Sequence, residues 1–147
     1  MTTISSSEQF TNNLPAPIHA TVVEGEARLD CLPRFFGGQC VRVEHGVYTV
    51  LERVSDDYSG GRWDFYALSN GGFFMAPHTD APFRIVCDGN GFDGEVSAVA
   101  AGIIATLMAL SHLSFVVDDD GLIDQFYLLR EYAVSHSEAG AIFRAID

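Results

Sequence analysis

The residues able to do chemistry are spread along the chain, and few stand at working distances from one another. The longest acidic run, Asp118-Asp119-Asp120-Gly121, invites a calcium reading. It fails the EF-hand spacing. With Gly121 as the loop glycine, the first ligand position falls on Val116 and the last on Tyr127, neither a carboxylate. Asp88-Gly89-Asn90-Gly91-Phe92-Asp93-Gly94 fails similarly, and its glycines are better explained by turns. The five histidines, His19, His45, His78, His112 and His136, form no His-x-x-x-His set. Cys31, Cys40 and Cys87 are odd in number and lack zinc-like pairing, so neither a disulfide framework nor a metal knuckle is expected. No serine sits in a Gly-x-Ser-x-Gly elbow, and no glycine pair has phosphate-loop spacing with a following lysine. No metal and no cofactor are expected. A catalytic alternative rests on His112 or Cys87 with nearby acids, a hydrolase-like site whose partners only the fold can bring together. His112, set among apolar residues, reads first as a core histidine.

The elements that must position these groups are organised around Val96–Val117. Val99, Ile103, Leu107 and Leu110 recur at helical spacing, and Ala98, Gly102, Ala105 and Ala109 make a second, small face. A helix apolar nearly all round is a buried one. Gly102 costs about 1 kcal/mol of helix propensity against Ala, so close packing there is the expected compensation. Asp93 or Ser97 is the expected N-cap, with Asp93 and Glu95 in the first turn. The stretch is long enough for a bilayer span, but its Ala, Gly and Ser content, internal His112 and acidic flanks argue against one.

Upstream, residues 1–17 read as a flexible arm and 18–147 as one domain. Ile18 to Val23 suits a short strand. Glu24 to Cys31 suits one or two helical turns, broken at Leu32-Pro33 and ended by Gly37-Gly38. Residues 39–54 fit both a helical face and part of a strand, and helix is the reading adopted. Trp63-Asp64-Phe65-Tyr66-Ala67-Leu68, Asn70-Gly71-Gly72 and Phe73-Phe74-Met75-Ala76 spell a β-hairpin. Pro82 to Cys87 follows as a third strand. Beyond the central helix, Leu122 to Val134 resumes helical spacing, and a last short helix restarts near His136. The fold class is therefore α+β: a small antiparallel sheet of three or four strands, packed with several helices around a buried central helix.

The chain carries a formal charge of −12, and all 8 of its Lys and Arg residues are arginine. Direct binding to nucleic acid is disfavoured. Residues 1–74 hold 9 acids and 5 arginines, net −4, and residues 75–147 hold 11 acids and 3 arginines, net −8. The acidic C-terminal half suits either solubility alone or a basic partner. If an interaction surface exists, Asp118, Asp119, Asp120 and Asp124 are its first candidates, and Asp56, Asp57 and Asp64 near the hairpin are a second patch. The N-terminus lacks the basic and apolar regions of a signal peptide, which makes the cytoplasm the expected compartment.

The run Gly60-Gly61-Arg62-Trp63-Asp64-Phe65-Tyr66-Ala67-Leu68-Ser69-Asn70-Gly71-Gly72-Phe73-Phe74-Met75-Ala76-Pro77 resembles the hallmark of the KlcA/ArdB antirestriction family. Leu32-Pro33-Arg34-Phe35-Phe36-Gly37, Asp57-Tyr58, Ala101-Gly102-Ile103, Leu113-Ser114, Leu129-Arg130-Glu131-Tyr132 and Ala141-Ile142-Phe143-Arg144-Ala145-Ile146-Asp147 match in order, so the resemblance spans residues 24–147. Ala67 stands where the family often has Glu, and Ser137 where it often has Pro. The resemblance implies a small protein of plasmids and other mobile elements, acting inside the bacterial cell. It implies relief of restriction of incoming unmodified DNA by type I restriction–modification systems, through direct or indirect interaction with that complex. It further implies an α/β fold peculiar to the family and no known catalytic site. DNA mimicry by carboxylates, binding elsewhere on the restriction machinery, and interference with its translocation or regulation all remain open. The oligomeric state is not implied.

Overall fold

The computed structural model describes residues 16–147. The arm expected at residues 1–17 therefore lies almost wholly outside the described residues. Strand β1 (Ala20–Val23) is followed by α1 (Ala27–Phe36), a 3₁₀ turn (Gly37–Gln39) and α2 (Cys40–Val54). Then come β2 (Trp63–Leu68), β3 (Phe73–Pro77), β4 (Phe83–Cys87) and β5 (Phe92–Val96). Helices α3 (Ala98–Val116), α4 (Asp120–Val134) and α5 (Ala139–Ile146) complete the chain. The α+β class and the buried central helix are as the pattern predicts, and residues 40–54 are helical.

Helix α3 is the core. Every residue from Ala100 to Leu107 is buried, packed by α2, β3, β4, α4 and α5. By length and composition it is able to cross a membrane, but 56% of its most apolar window is enclosed by the rest of the fold. Its small face works as spacing suggests. A Cβ on Gly102 would lie 2.3 Å from the Met75 carbonyl oxygen and 2.5 Å from Ala76 Cα, so β3 lies directly against the helix backbone. One turn on, Thr106 Oγ1 lies 3.4 Å from Met75 N and 3.5 Å from Met75 O, which serves the edge of β3 that β2 leaves free. On another side Ala109 faces Gly46 of α2, again at a small residue.

The strands do not form the single sheet expected of three consecutive strands. β1, β2 and β3 make one antiparallel sheet, whereas β4 pairs with β5 as a separate hairpin. The residues expected to open the central helix belong to β5 instead. Asp93 pairs with Val86, and Glu95 with Arg84. Asn90 Oδ1 accepts from Phe92 N at 2.9 Å and Gly91 adopts φ 73°, which closes a tight turn and starts a strand where a helix lead-in was expected. The Arg84 guanidinium then grips the Asp93 carboxylate with two bonds of 2.8 and 2.6 Å, and this pair holds Asp93 below the usual carboxylate range. The cap of α3 is Ser97, whose hydroxyl oxygen accepts from Ala100 N at 3.1 Å.

Pro33 does not break α1. The helix runs through it to Phe36 because Cys31, Leu32 and Phe36 all bury into the core. The carbonyl deprived of its donor belongs to Leu29, on a face where that side chain is 81% exposed and water can serve it. The helix ends at Gly37, with φ 53°. Around the hairpin the aromatic residues interlock. Phe73 meets Phe35, Phe36 and Phe65 at 5.2, 5.3 and 6.0 Å, and Tyr66 stacks on Phe74 at 4.4 Å. Trp63 donates to the Tyr58 hydroxyl at 3.1 Å.

Candidate functional site

The first acidic patch sits where α3 hands over to α4. Asp119 is the N-cap of α4 and accepts from Gly121 N at 2.9 Å, a structural duty that uses one of its oxygens. Asp118, Asp120 and Asp124 are exposed, and none is ion-paired among the described residues. Four carboxylates thus crowd one corner, and the helix N-terminus accommodates them electrostatically.

The second patch is mostly occupied with holding the fold. Asp57 Oδ2 accepts from the Arg84 backbone N at 2.7 Å and so ties the α2–β2 loop to β4. Asp64 Oδ2 lies 2.8 Å from His78 Nδ1, and its other oxygen is 4.0 Å from Arg62 Nε. Of this group only Asp56 is exposed without such a bond among the described residues. No hydrogen bond or ion pair links the two patches among those residues.

The His78–Asp64 pair is the histidine–carboxylate pair that sequence spacing did not find. Its signal lies in the register: Asp64 stands opposite Ala76, so His78, two residues on, is its diagonal neighbour on the same face. His78 N also donates to Arg62 O at 2.8 Å. The pair closes the open end of the hairpin. An imidazole held by a carboxylate is half of a catalytic arrangement, but no hydroxyl or thiol is hydrogen-bonded to this ring among the described residues.

The residues of the catalytic alternative end differently from the expectation. His112 is exposed, not a core histidine, because α3 leaves the core after Leu110. It lines a cleft of about 440 Å³ together with Cys87, Arg53, Arg130, Met108 and Phe126. Cys87 is buried there, and burial pushes its thiol up from the ordinary value despite the nearby Arg53 charge. That direction disfavours the reactive thiolate. Arg53 and Arg130 share the cleft with Asp88 and Asp147, so it favours neither sign of charge. Among the described residues, no group of three or more His, Cys, Asp or Glu is placed to hold a metal ion.

Fold and sites together define an acidic α+β domain with carboxylates displayed at a helix junction. A model of the antirestriction protein family matches residues 56–147. Antirestriction protein KlcA of Escherichia coli is 49% identical over 141 residues, covering 91% of this chain and 97% of that protein. Uncharacterized protein YafX of Escherichia coli (strain K12) is 40% identical over 152 residues, covering all of both chains. A solved structure superimposes with a TM-score of 0.84 at 46% identity, covering 92% of this chain and 99% of that one. It comes from work on the KlcA and ArdB proteins that describes a novel fold and antirestriction activity against type I DNA restriction systems in vivo but not in vitro. The chain belongs to the antirestriction protein family.

Proposed function

We propose that this chain relieves type I restriction of incoming unmodified DNA inside the bacterial cell, by non-catalytic interaction with the restriction–modification machinery. The observation that carries the reading is the likeness, over nearly the whole chain, to the KlcA and ArdB proteins with that activity. Their activity in vivo but not in vitro also favours one mechanism over another. A carboxylate mimic of DNA occupies the enzyme's DNA channel with purified components as well as in cells. A protein that acts through a cellular component, or on a step absent from the purified reaction, does not. The acidic residues favour the second route, since Asp57, Asp64 and Asp119 are spent on internal hydrogen bonds. A non-catalytic reading agrees with Cys87, whose thiol burial pushes up from its ordinary value, away from the reactive thiolate.

The test is plating of unmodified phage on cells that express the protein and carry a type I system, with modified phage as control. Unmodified plating rises and modified plating is unchanged if the reading holds. Soluble protein with no change in unmodified plating, in two unrelated type I systems, overturns it.

A further inference from the structure

The outer face of α4 carries two parallel stripes. Ile123, Tyr127 and Val134 recur at i, i+4 and i+11, so they share one line along the helix, and they are 41%, 61% and 64% exposed. Asp120, Asp124 and Glu131 have the same spacing and lie immediately beside that line. Opposite faces of the helix are used up inside the molecule. Leu122, Leu129 and Ala133 are buried, and Gln125 and Leu128 hold the β2–β3 turn through Gly71 and Asn70. Phe115 and Val116, in the last turn of α3 shortly before α4 begins, are 86% and 78% exposed. An aromatic and aliphatic patch of this kind on an otherwise acidic surface marks a docking site.

The geometry points to one occupant: a helix or ridge of a partner protein with apolar side chains flanked by arginine or lysine. Apolar residues would seat on Ile123, Tyr127 and Val134, and the flanking cations would meet Asp118, Asp120, Asp124 and Glu131. None of those four acids has an ion-pair partner within this chain among the described residues. A second copy fits badly, because two such faces would bring their acidic stripes together on chains of net charge −12. Nucleic acid and anionic lipid are opposed by the same charge. Arg130, the one cation on the line, has its guanidinium turned onto the Phe143 ring at 5.1 Å. This inference rests on the non-catalytic reading proposed above and names the chemistry of the partner.

The test uses full-length protein in cells carrying a type I system. Ile123→Ser/Tyr127→Ser and Val134→Ser remove the apolar line, and Asp120→Asn/Asp124→Asn removes part of the acidic one. Leu29→Ser/Val41→Ser alters exposed apolar residues on α1 and α2 as the control. Thermal unfolding confirms that each variant folds. The apolar variants are expected to lower restriction relief about tenfold or more, as loss of central aromatic anchors does. The acidic pair is expected to lower it less, and the control to leave it unchanged. A benzophenone photo-crosslinker at position 127, but not at 29, is expected to capture a segment combining apolar residues with arginine or lysine. Folded apolar variants with full relief overturn the proposal. So does crosslinking at 127 that yields a dimer of this chain or the same products as at 29. If the wild-type chain gives no relief, the functional reading fails, and the crosslinks alone then decide the surface.

Discussion

Gly102→Ala adds one methyl group where the structure has no room for it. The new carbon would stand 2.3 Å from the Met75 carbonyl oxygen and 2.5 Å from both Ala76 Cα and Ala76 Cβ. Carbon–carbon contacts settle at about 3.5–4.0 Å, so β3 must retreat by roughly 1 Å. The obstruction is mainly backbone and cannot rotate aside. Retreat also opens the contact between Thr106 Oγ1 and Met75 N, already 3.4 Å long. Overpacking of this kind costs about 1–3 kcal/mol, occasionally more, and a rigid obstacle belongs at the upper end. Ala regains about 1 kcal/mol of helix propensity. The net loss is about 2 kcal/mol, a fall in Tm of roughly 4–8 °C for a chain of this size. Thermal or urea unfolding reads it. Gly46→Ala is the control, because its Cβ meets Ala109 and Leu113 at 3.5 and 3.7 Å, ordinary contact distances. That variant is expected to gain about 0.5–1 kcal/mol. A Gly102→Ala protein as stable as the parent refutes the close approach of α3 and β3.

Two further outcomes follow from named contacts. Ser97 caps α3 through Ala100 N, its hydroxyl also donates to Glu138, and its own N–H donates to Glu138 Oε1 at 2.9 Å. Ser97→Ala should cost about 1–2 kcal/mol in urea unfolding, and Ser97→Asp, usually a fair N-cap, should not rescue it because two carboxylates would then face each other. Tyr48 is pushed up to about 12, chiefly by burial and then by the Glu44 charge. Since its folded value lies above the ordinary 10.0, its contribution to stability is complete below pH 10 and lost as pH rises toward 12. Burial also raises Tyr66 and Tyr132, so ultraviolet titration should show late tyrosine ionisation whose latest part is lost in Tyr48→Phe, and that variant should lose less stability over the same interval.

The parts of the fold that local pattern controls were legible. The hairpin at residues 63–77 announces itself through Asn70-Gly71-Gly72, and Gly102 in an apolar helix foretells a close neighbour. The parts that pairing controls were not. β5 reads Phe-Asp-Gly-Glu-Val, with a glycine at its centre and only Val96 buried, so it becomes a strand through its ladder with β4. α1 tolerates Pro33 because tertiary burial of Leu32 and Phe36 outweighs the local penalty. Periodicity does not show where α3 leaves the core, so from sequence His112 reads as buried, whereas His112, Phe115 and Val116 are exposed. The Asp118–Asp124 group was visible as charge. Its neighbour, the Ile123–Tyr127–Val134 line, reads as ordinary helical spacing until the fold shows which face is left outside. In the sequence Asp64 shows only its charge, since its bond to His78 depends on strand register.

The most direct measurement is competition between this protein and unmodified recognition-site DNA for a purified type I complex, read by fluorescence anisotropy of the labelled duplex. It should be run from about 50 mM salt upward, where an electrostatic mimic loses affinity steeply as salt rises. Protein that relieves restriction in cells is expected to displace no DNA at any salt. Stoichiometric displacement at low salt that fades as salt rises would contradict it, and would return the acidic residues to the role of phosphate mimics.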